Sequence, residues 1–184
     1  MSLTETPICN FGEKAKNFNI ISTENKNVSL NNIKGKNGTL IMFICNHCPY
    51  VKAVIKDIVL DVKYLETLGI KSAAIMSNDV KNYPEDSFEN MILFSKLYNF
   101  SFPYLFDENQ DVAKSYGAVC TPDFFGYNKD LKLQYRGRIR ELKNLKALSK
   151  NDSDLRAAME LIKKTGKGPE KQTSSMGCNI KGFK

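Results

Sequence analysis

Cys45 and Cys48 stand in the stretch FICNHCPY, residues 43–50, with Asn46 and His47 between them. Two thiols at this spacing can cycle between dithiol and disulfide: one attacks a substrate disulfide and the other displaces the product. The same pair can supply two of the four ligands of a closed zinc site, or be two inert buried thiols. The other cysteines are Cys9, Cys120 and Cys178, which makes five in all. An odd number at irregular spacing is not the pattern of a disulfide-stapled secreted scaffold. In a reducing compartment a CxxC is catalytic or metal-binding more often than structural.

The residues around the pair favour redox chemistry. The run GTLIMFI (38–44) is continuously apolar, as in a strand buried on both faces. After it, Val51, Val54, Ile55, Ile58, Val62, Leu65 and Leu68 recur at helical spacing, and Gly69 is a natural stop. Pro49 is tolerated only in the first turn, which sets the helix start near Cys48. The spacing thus places Cys45 at or just before the N-cap, where free N–H groups and the positive end of the helix favour a thiolate. Cys48 is expected one turn deeper and shielded. His47, the single histidine, has two readings: a cation that strengthens the thiolate, or a solvent-facing spacer. A metal site needs more ligands than one CxxC, and Cys120 is the candidate third thiolate. The His47 ring is not expected to converge with both sulfurs, so no metal is assigned, and no cofactor motif is found.

The rest of the chain supplies the scaffold. NFNIIST and NVSLNNIKGK flank a turn at 24–27 and read as a hairpin. IKSAAIMSN is the next strand. Pro84, Glu85 and Asp86 open a second helix running to about Asn99, its acids at the positive end. FPYLFD is a short extended piece, ENQDVAKSYG a helix closed by Gly117, and DFFGY and LKLQYRG a hairpin around NKD. A last helix starts near Asp152 or Ser153 and ends before Gly166. Strand–helix alternation with a closing antiparallel hairpin implies an α/β fold, a mixed central sheet with helices on both faces and an N-terminal β-hairpin. The reading is one domain over 1–184, with a loose arm at 1–16 and an irregular tail at 166–184.

The formal net charge is +7, but the lysines are spread along the whole chain, so a basic soluble surface is favoured over a nucleic-acid site. The only arginine run, YRGRIR (135–140), is short; Arg136, Arg138 and Arg140 are read as a solvated face rather than as cations near the thiolate. No apolar run approaches the roughly 20 residues of a membrane span. No signal peptide is seen either, so a cytoplasmic location is expected, with no membrane partner.

A second motif is VCTPDFF, in which Thr121-Pro122 precedes a strand. CxxC after the first core strand, together with Thr-Pro before a closing hairpin, resembles the thioredoxin-like fold. FICNHCPYV, AIMSND, YPEDSFENM, FPYLFDENQDVAKSYGAVCTPDFF, LQYRGR and SSMGCNIK resemble its peroxiredoxin-like (AhpC/TSA, redoxin) branch. The resemblance implies a cis Pro122 packed against the CxxC, the Thr121 backbone presented to substrate, Cys45 as nucleophile and Cys48 as resolving thiol. It implies a thiol–disulfide oxidoreductase acting on protein or small thiols and disulfides, with a peroxide-reducing antioxidant as the alternative; a metal-binding or metallochaperone module using Cys45, Cys48 and Cys120 or His47 is a third reading, from the residues themselves. Two positions depart from the parents. Met42 stands where a peroxidase keeps a hydroxyl, and Thr39 stands where a peroxidase keeps a proline and a thioredoxin a buried acid. Cys120 is read as a small buried hydrophobe, Cys9 as incidental, and Tyr50 as a cover for the site. Cys178 stays open between an incidental thiol and an extra resolving thiol or electron relay.

Overall fold

A computed structural model describes residues 2–149 and 152–182. The chain opens with a short strand, β1 (Leu3–Glu5), and then the hairpin β2 (Asn19–Ser22) and β3 (Asn27–Ser29). The second arm of that hairpin is shorter than its sequence reads. The Ser29 side chain accepts from the Asn32 backbone N–H and Asn32 returns the bond, so Leu30–Ile33 closes as a helical turn, α1. Next come β4 (Gly38–Phe43), α2 (Pro49–Thr67) and β5 (Ile70–Met76). The expected helix at Pro84 divides. Pro84–Asp86 is a 3₁₀ turn, and Ser87 then caps α3 (Phe88–Leu97) by accepting from Asn90 N–H. β6 (Tyr104–Phe106), α4 (Asp111–Tyr116), β7 (Cys120–Thr121), β8 (Asp123–Tyr127) and β9 (Leu133–Arg136) follow. A small ribbon, β10 (Leu142–Lys143) and β11 (Lys146–Ala147), leads to α5 (Asp154–Thr165) and β12 (Met176–Asn179).

Seven strands form the main sheet in the order β3-β2-β6-β5-β4-β8-β9. β4 pairs parallel with β5, and β5 with β6; the β8 and β2 neighbours run antiparallel. β4 is buried throughout, and its side chains alternate between two cores. Leu40 and Met42 face α2, α3 and α5, whereas Ile41 and Phe43 face α1 and α4. This is the mixed sheet covered on both faces that the alternation implies, and it brings the C-terminal end of β4 to the N-terminal end of α2.

Both chain ends are tied down, contrary to the loose arm and irregular tail that polar, aperiodic sequence implies. β12 lies between β1 and β7, with Leu3 opposite Cys178 and Cys178 opposite Thr121. Gly177 makes this approach possible, because a Cβ there would come within 2.0 Å of the Thr121 carbonyl oxygen. Further along the arm, Gly12 and Ala15 donate backbone bonds to Leu133 and Leu131. Met1, Phe183 and Lys184, which belong to the same arm and tail, lie outside the described residues. Strands this short have no hydrophobic period to reveal them, and their partners are distant in sequence.

The arginine run is not a solvated face. Arg136 and Arg140 are buried. Arg136 donates to both Asp123 oxygens, at 3.3 and 2.8 Å, and to the Gly117 carbonyl at 2.8 Å, with its guanidinium 4.4 Å from the centre of the Phe125 ring. Arg140 pairs with Asp57 and Arg138 with Asp154. Burial raises the Asp123 carboxyl pKa even against the Arg136 charge, so this pair pins the end of β8 at a desolvation cost. Arg136→Ala is expected to leave that carboxylate uncompensated and to lower unfolding free energy by about 3–5 kcal/mol, measured as a shift in denaturant midpoint. A loss below about 1 kcal/mol would show that the pair behaves as a surface bridge.

Candidate active site

The turn between β4 and α2 carries both thiols. Cys48, not Cys45, is the N-cap of α2; its extended backbone (φ −64°, ψ 124°) is what a residue before proline must adopt. Cys45 therefore sits further outside the helix than its sequence position implies. Both are buried, with 1% and 0% of their surfaces exposed. The Cys48 sulfur is ringed by donors. Its pKa is lowered to about 5, first by the hydrogen bond from Cys45, against burial, and then by the backbone N–H groups of Val51 and Cys178 and the Cys178 thiol. Cys45 moves well above its ordinary value, because it donates to Cys48, is buried, and faces the Asp86 carboxylate; the Thr121 hydroxyl opposes this rise. Both shifts favour the negative charge on Cys48 and the proton on Cys45. The sequence expects the thiolate at Cys45; the shifts instead favour Cys48, first through Cys45 itself and only then through the Val51 N–H of the helix start.

Thr121 stands against both sulfurs. Its Oγ1 is 3.4 Å from Cys45 Sγ, and its carbonyl oxygen is 3.2 Å from Cys48 Sγ. The carbonyl contact suits a protonated Cys48 and opposes the lowering by Cys45, Val51 and Cys178. The Thr121–Pro122 peptide is cis, so the loop before β8 lies beside the CxxC as the resemblance implies.

His47 is not a free spacer. Its Nδ1–H donates to Asp86 Oδ2 at 2.6 Å, and its ring stacks on Tyr83, with centroids 5.9 Å apart and planes 6° apart. Asp86 is fully buried. It also accepts from the Asn46 backbone N–H and from Asn78 Nδ2, both at 2.8 Å. The Asn46 side chain donates to the Glu85 carbonyl and accepts from the Tyr104 hydroxyl. The turn around the thiols is therefore tethered to the 3₁₀ turn and to β6. Sequence reasoning assigned Asp86 only to a helix start and missed Asn46 and Tyr104. The single available signal was the lone His47, whose ring needs a partner when buried.

Cys45, His47 and Asp86 offer sulfur, nitrogen and oxygen ligand atoms within 4.8 Å of one another. That convergence was not anticipated. These three would be the first donors for a soft or borderline cation, but a closed zinc site needs a fourth ligand, and both Asp86 oxygens are already engaged. Cys120 is not part of the group. It is fully buried, its Sγ is 3.7 Å from the Pro122 carbonyl oxygen, and burial drives its pKa far above the ordinary thiol range. This is the behaviour of the small hydrophobe expected. Cys9 is buried too and pushed up to about 11 by desolvation. Tyr50 is half-buried and lines a groove of about 310 Å³ beside Pro122, together with Arg138 and Met176.

A buried dithiol at a strand-to-helix junction, facing a cis Thr-Pro on a mixed sheet, defines a thioredoxin-like protein. The thioredoxin domain of a thiol-disulfide oxidoreductase from Bacteroides vulgatus shares the fold, with a TM-score of 0.57 and 18% identity over 73% of this chain and 89% of that one. Residues 11–141 match the AhpC/TSA family, and the chain belongs to that family. An uncharacterized conserved protein from Geobacillus kaustophilus is 39% identical, with a TM-score of 0.94, over 100% of this chain and 97% of that one. The thiol-disulfide oxidoreductase ResA of Bacillus thuringiensis subsp. konkukian is 30% identical over 127 residues, which is 66% of each chain. The chain thus spans just under two thirds of that relative's length. No described helix is long and apolar enough to cross a membrane.

Proposed function

We propose that this protein is a thiol–disulfide oxidoreductase in which Cys45 carries the mixed disulfide and Cys48 resolves it. The observation that carries the reading is the buried Cys45–Cys48 pair set against the cis Thr121–Pro122 peptide, with Thr121 touching both sulfurs. As Cys45 attacks a substrate disulfide, its proton passes to Cys48 and the substrate leaves as a thiolate. Cys48 then gives the proton up and displaces the second substrate sulfur from Cys45. Run backwards, a substrate thiolate attacks Cys45 and Cys48 leaves readily, because a low-pKa thiol is a good leaving group. Donors that stabilise the reduced pair make its disulfide more oxidising. Thiols and disulfides of proteins or small molecules are the partners, and the ResA similarity supports this. The odd, irregular cysteine set supports a reducing compartment, the cytoplasm.

Pre-reduced protein is expected to reduce insulin or oxidised glutathione and to be left with a Cys45–Cys48 disulfide, while Cys45→Ser falls to background. Wild type no faster than alkylated protein would sink the reading. One observation favours a second reading, a thiol peroxidase: the Thr121 hydroxyl beside Cys45 could orient a peroxide where Met42 cannot. The raised pKa of Cys45 weighs against it. Stopped-flow oxidation by hydrogen peroxide no faster than that of free cysteine removes it.

A further inference from the structure

The dithiol is not alone. Cys178, on β12, lies directly opposite Thr121, the residue that touches both active-site sulfurs. Its backbone N–H and its thiol both lie close enough to Cys48 Sγ to lower the pKa of that sulfur. Cys178 belongs to the same buried cluster as Cys45 and Cys48. β12 is held there from both sides, by β1 and by β7, and Gly177 lets it approach. Cys48 is thus a shared sulfur with a thiol neighbour on either side.

Building on the oxidoreductase reading, we propose that Cys178 is a third redox-active thiol, which exchanges with the Cys45–Cys48 disulfide to form a Cys48–Cys178 disulfide. Cys178 loses its proton and attacks Cys48 Sγ. The Cys48–Cys178 bond forms and the Cys45–Cys48 bond breaks. Cys45 departs with the electron pair and takes up the proton. One disulfide and one thiol exist before and after, so the step needs no outside oxidant or reductant; the oxidising equivalent comes from the substrate disulfide that Cys45 has already reduced. The outcome is a second oxidised state, in which Cys45 is again a free thiol while the equivalent is stored against β12. The Cys178 thiol is pushed up to about 11, chiefly by burial and then by its bond to Cys48, so it takes part as a thiol that gives up its proton only during exchange. Cys120 is excluded by its bond to the Pro122 carbonyl.

The test uses the full chain with Cys45→Ser, treated with oxidised glutathione, alkylated and digested with trypsin. The glutathione adduct on Cys48 is expected to be displaced by Cys178, linking the peptide 37–52 to the peptide 172–181. Adding Cys178→Ser should slow the loss of that adduct by at least about 100-fold, the scale of a lost intramolecular reaction. A persistent adduct in Cys45→Ser, or a link to the Cys120 peptide instead, overturns the proposal. Wild type poised in graded glutathione buffers gives a reading independent of how the variants fold: a detectable Cys48–Cys178 fraction supports the third thiol. A Cys45–Cys48 disulfide formed with no such fraction refutes the third thiol alone, whereas no disulfide at either pair also removes the oxidoreductase reading.

Discussion

Ultraviolet titration of the reduced protein is expected to show one thiolate forming with a midpoint near 5, and Cys48→Ser is expected to abolish it. The charge belongs to Cys48 because its sulfur receives the Cys45 thiol, two backbone N–H groups and the Cys178 thiol. Cys45→Ser keeps a hydroxyl donor in the same place, so the low midpoint should survive. In Cys48→Ser the remaining Cys45 loses its acceptor but stays buried beside Asp86, which holds it at or above the ordinary thiol value of 9.0. At pH 7 that is a fall in thiolate population of about 100-fold, from nearly complete to about one per cent. Alkylation rates with iodoacetamide across pH 4–10 would follow it. A midpoint near 5 that persists in Cys48→Ser, or disappears in Cys45→Ser, would move the charge back to Cys45. The sign of the linked stability is also fixed. A folded-state thiol pKa below its unfolded value contributes stability that is complete above about pH 9 and is lost as pH falls through about 5.

The reason the sequence does not decide which sulfur carries the charge is local. Pro49 correctly fixed the first helical residue, and the apolar period from Val51 to Leu68 correctly fixed the face that packs. What a CxxC pattern does not encode is which sulfur the free N–H groups reach, since that depends on the φ and ψ of the bend at 45–48. The same limit applies to the strands. β4, β5 and β8 could be read because burial imposes continuous apolar runs on them, whereas β1, β7 and β12 are two to four residues long and acquire meaning only from one another. The sequence therefore leaves Cys178 open, and its pairing opposite Thr121 comes from topology. Arg136 was read as solvated because a guanidinium beside a strand end usually is; its partner, Asp123, lies across the β8–β9 hairpin and has no periodic signature.

Asp86→Asn is expected to produce two effects of opposite benefit, and their combination distinguishes a positioning residue from a merely structural one. Three donors converge on this buried carboxylate: the Asn46 backbone N–H, Nδ1–H of His47 and Nδ2 of Asn78. An amide offers only one acceptor oxygen and turns an N–H₂ toward groups that themselves donate, so at least one donor is orphaned in a dry site. The cost should be about 2–4 kcal/mol of unfolding free energy, seen as a lower denaturant midpoint. The turn at 46–47 should also loosen, since both of its residues hang on this side chain. The second effect runs through charge. The Asp86 carboxylate is one of the causes that hold the Cys45 thiol high, after its bond to Cys48 and its burial. Neutralising it should move the Cys45 midpoint downward, and the alkylation profile of Asp86→Asn should rise at a lower pH than that of wild type. Asp86→Glu keeps the charge but displaces it, and should cost stability while leaving Cys45 high. A lower denaturant midpoint with an unmoved Cys45 profile would reduce Asp86 to an anchor for the turn. A moved profile assigns it a part in deciding which of the two sulfurs carries the proton, and so in making Cys45 the one that waits for the substrate.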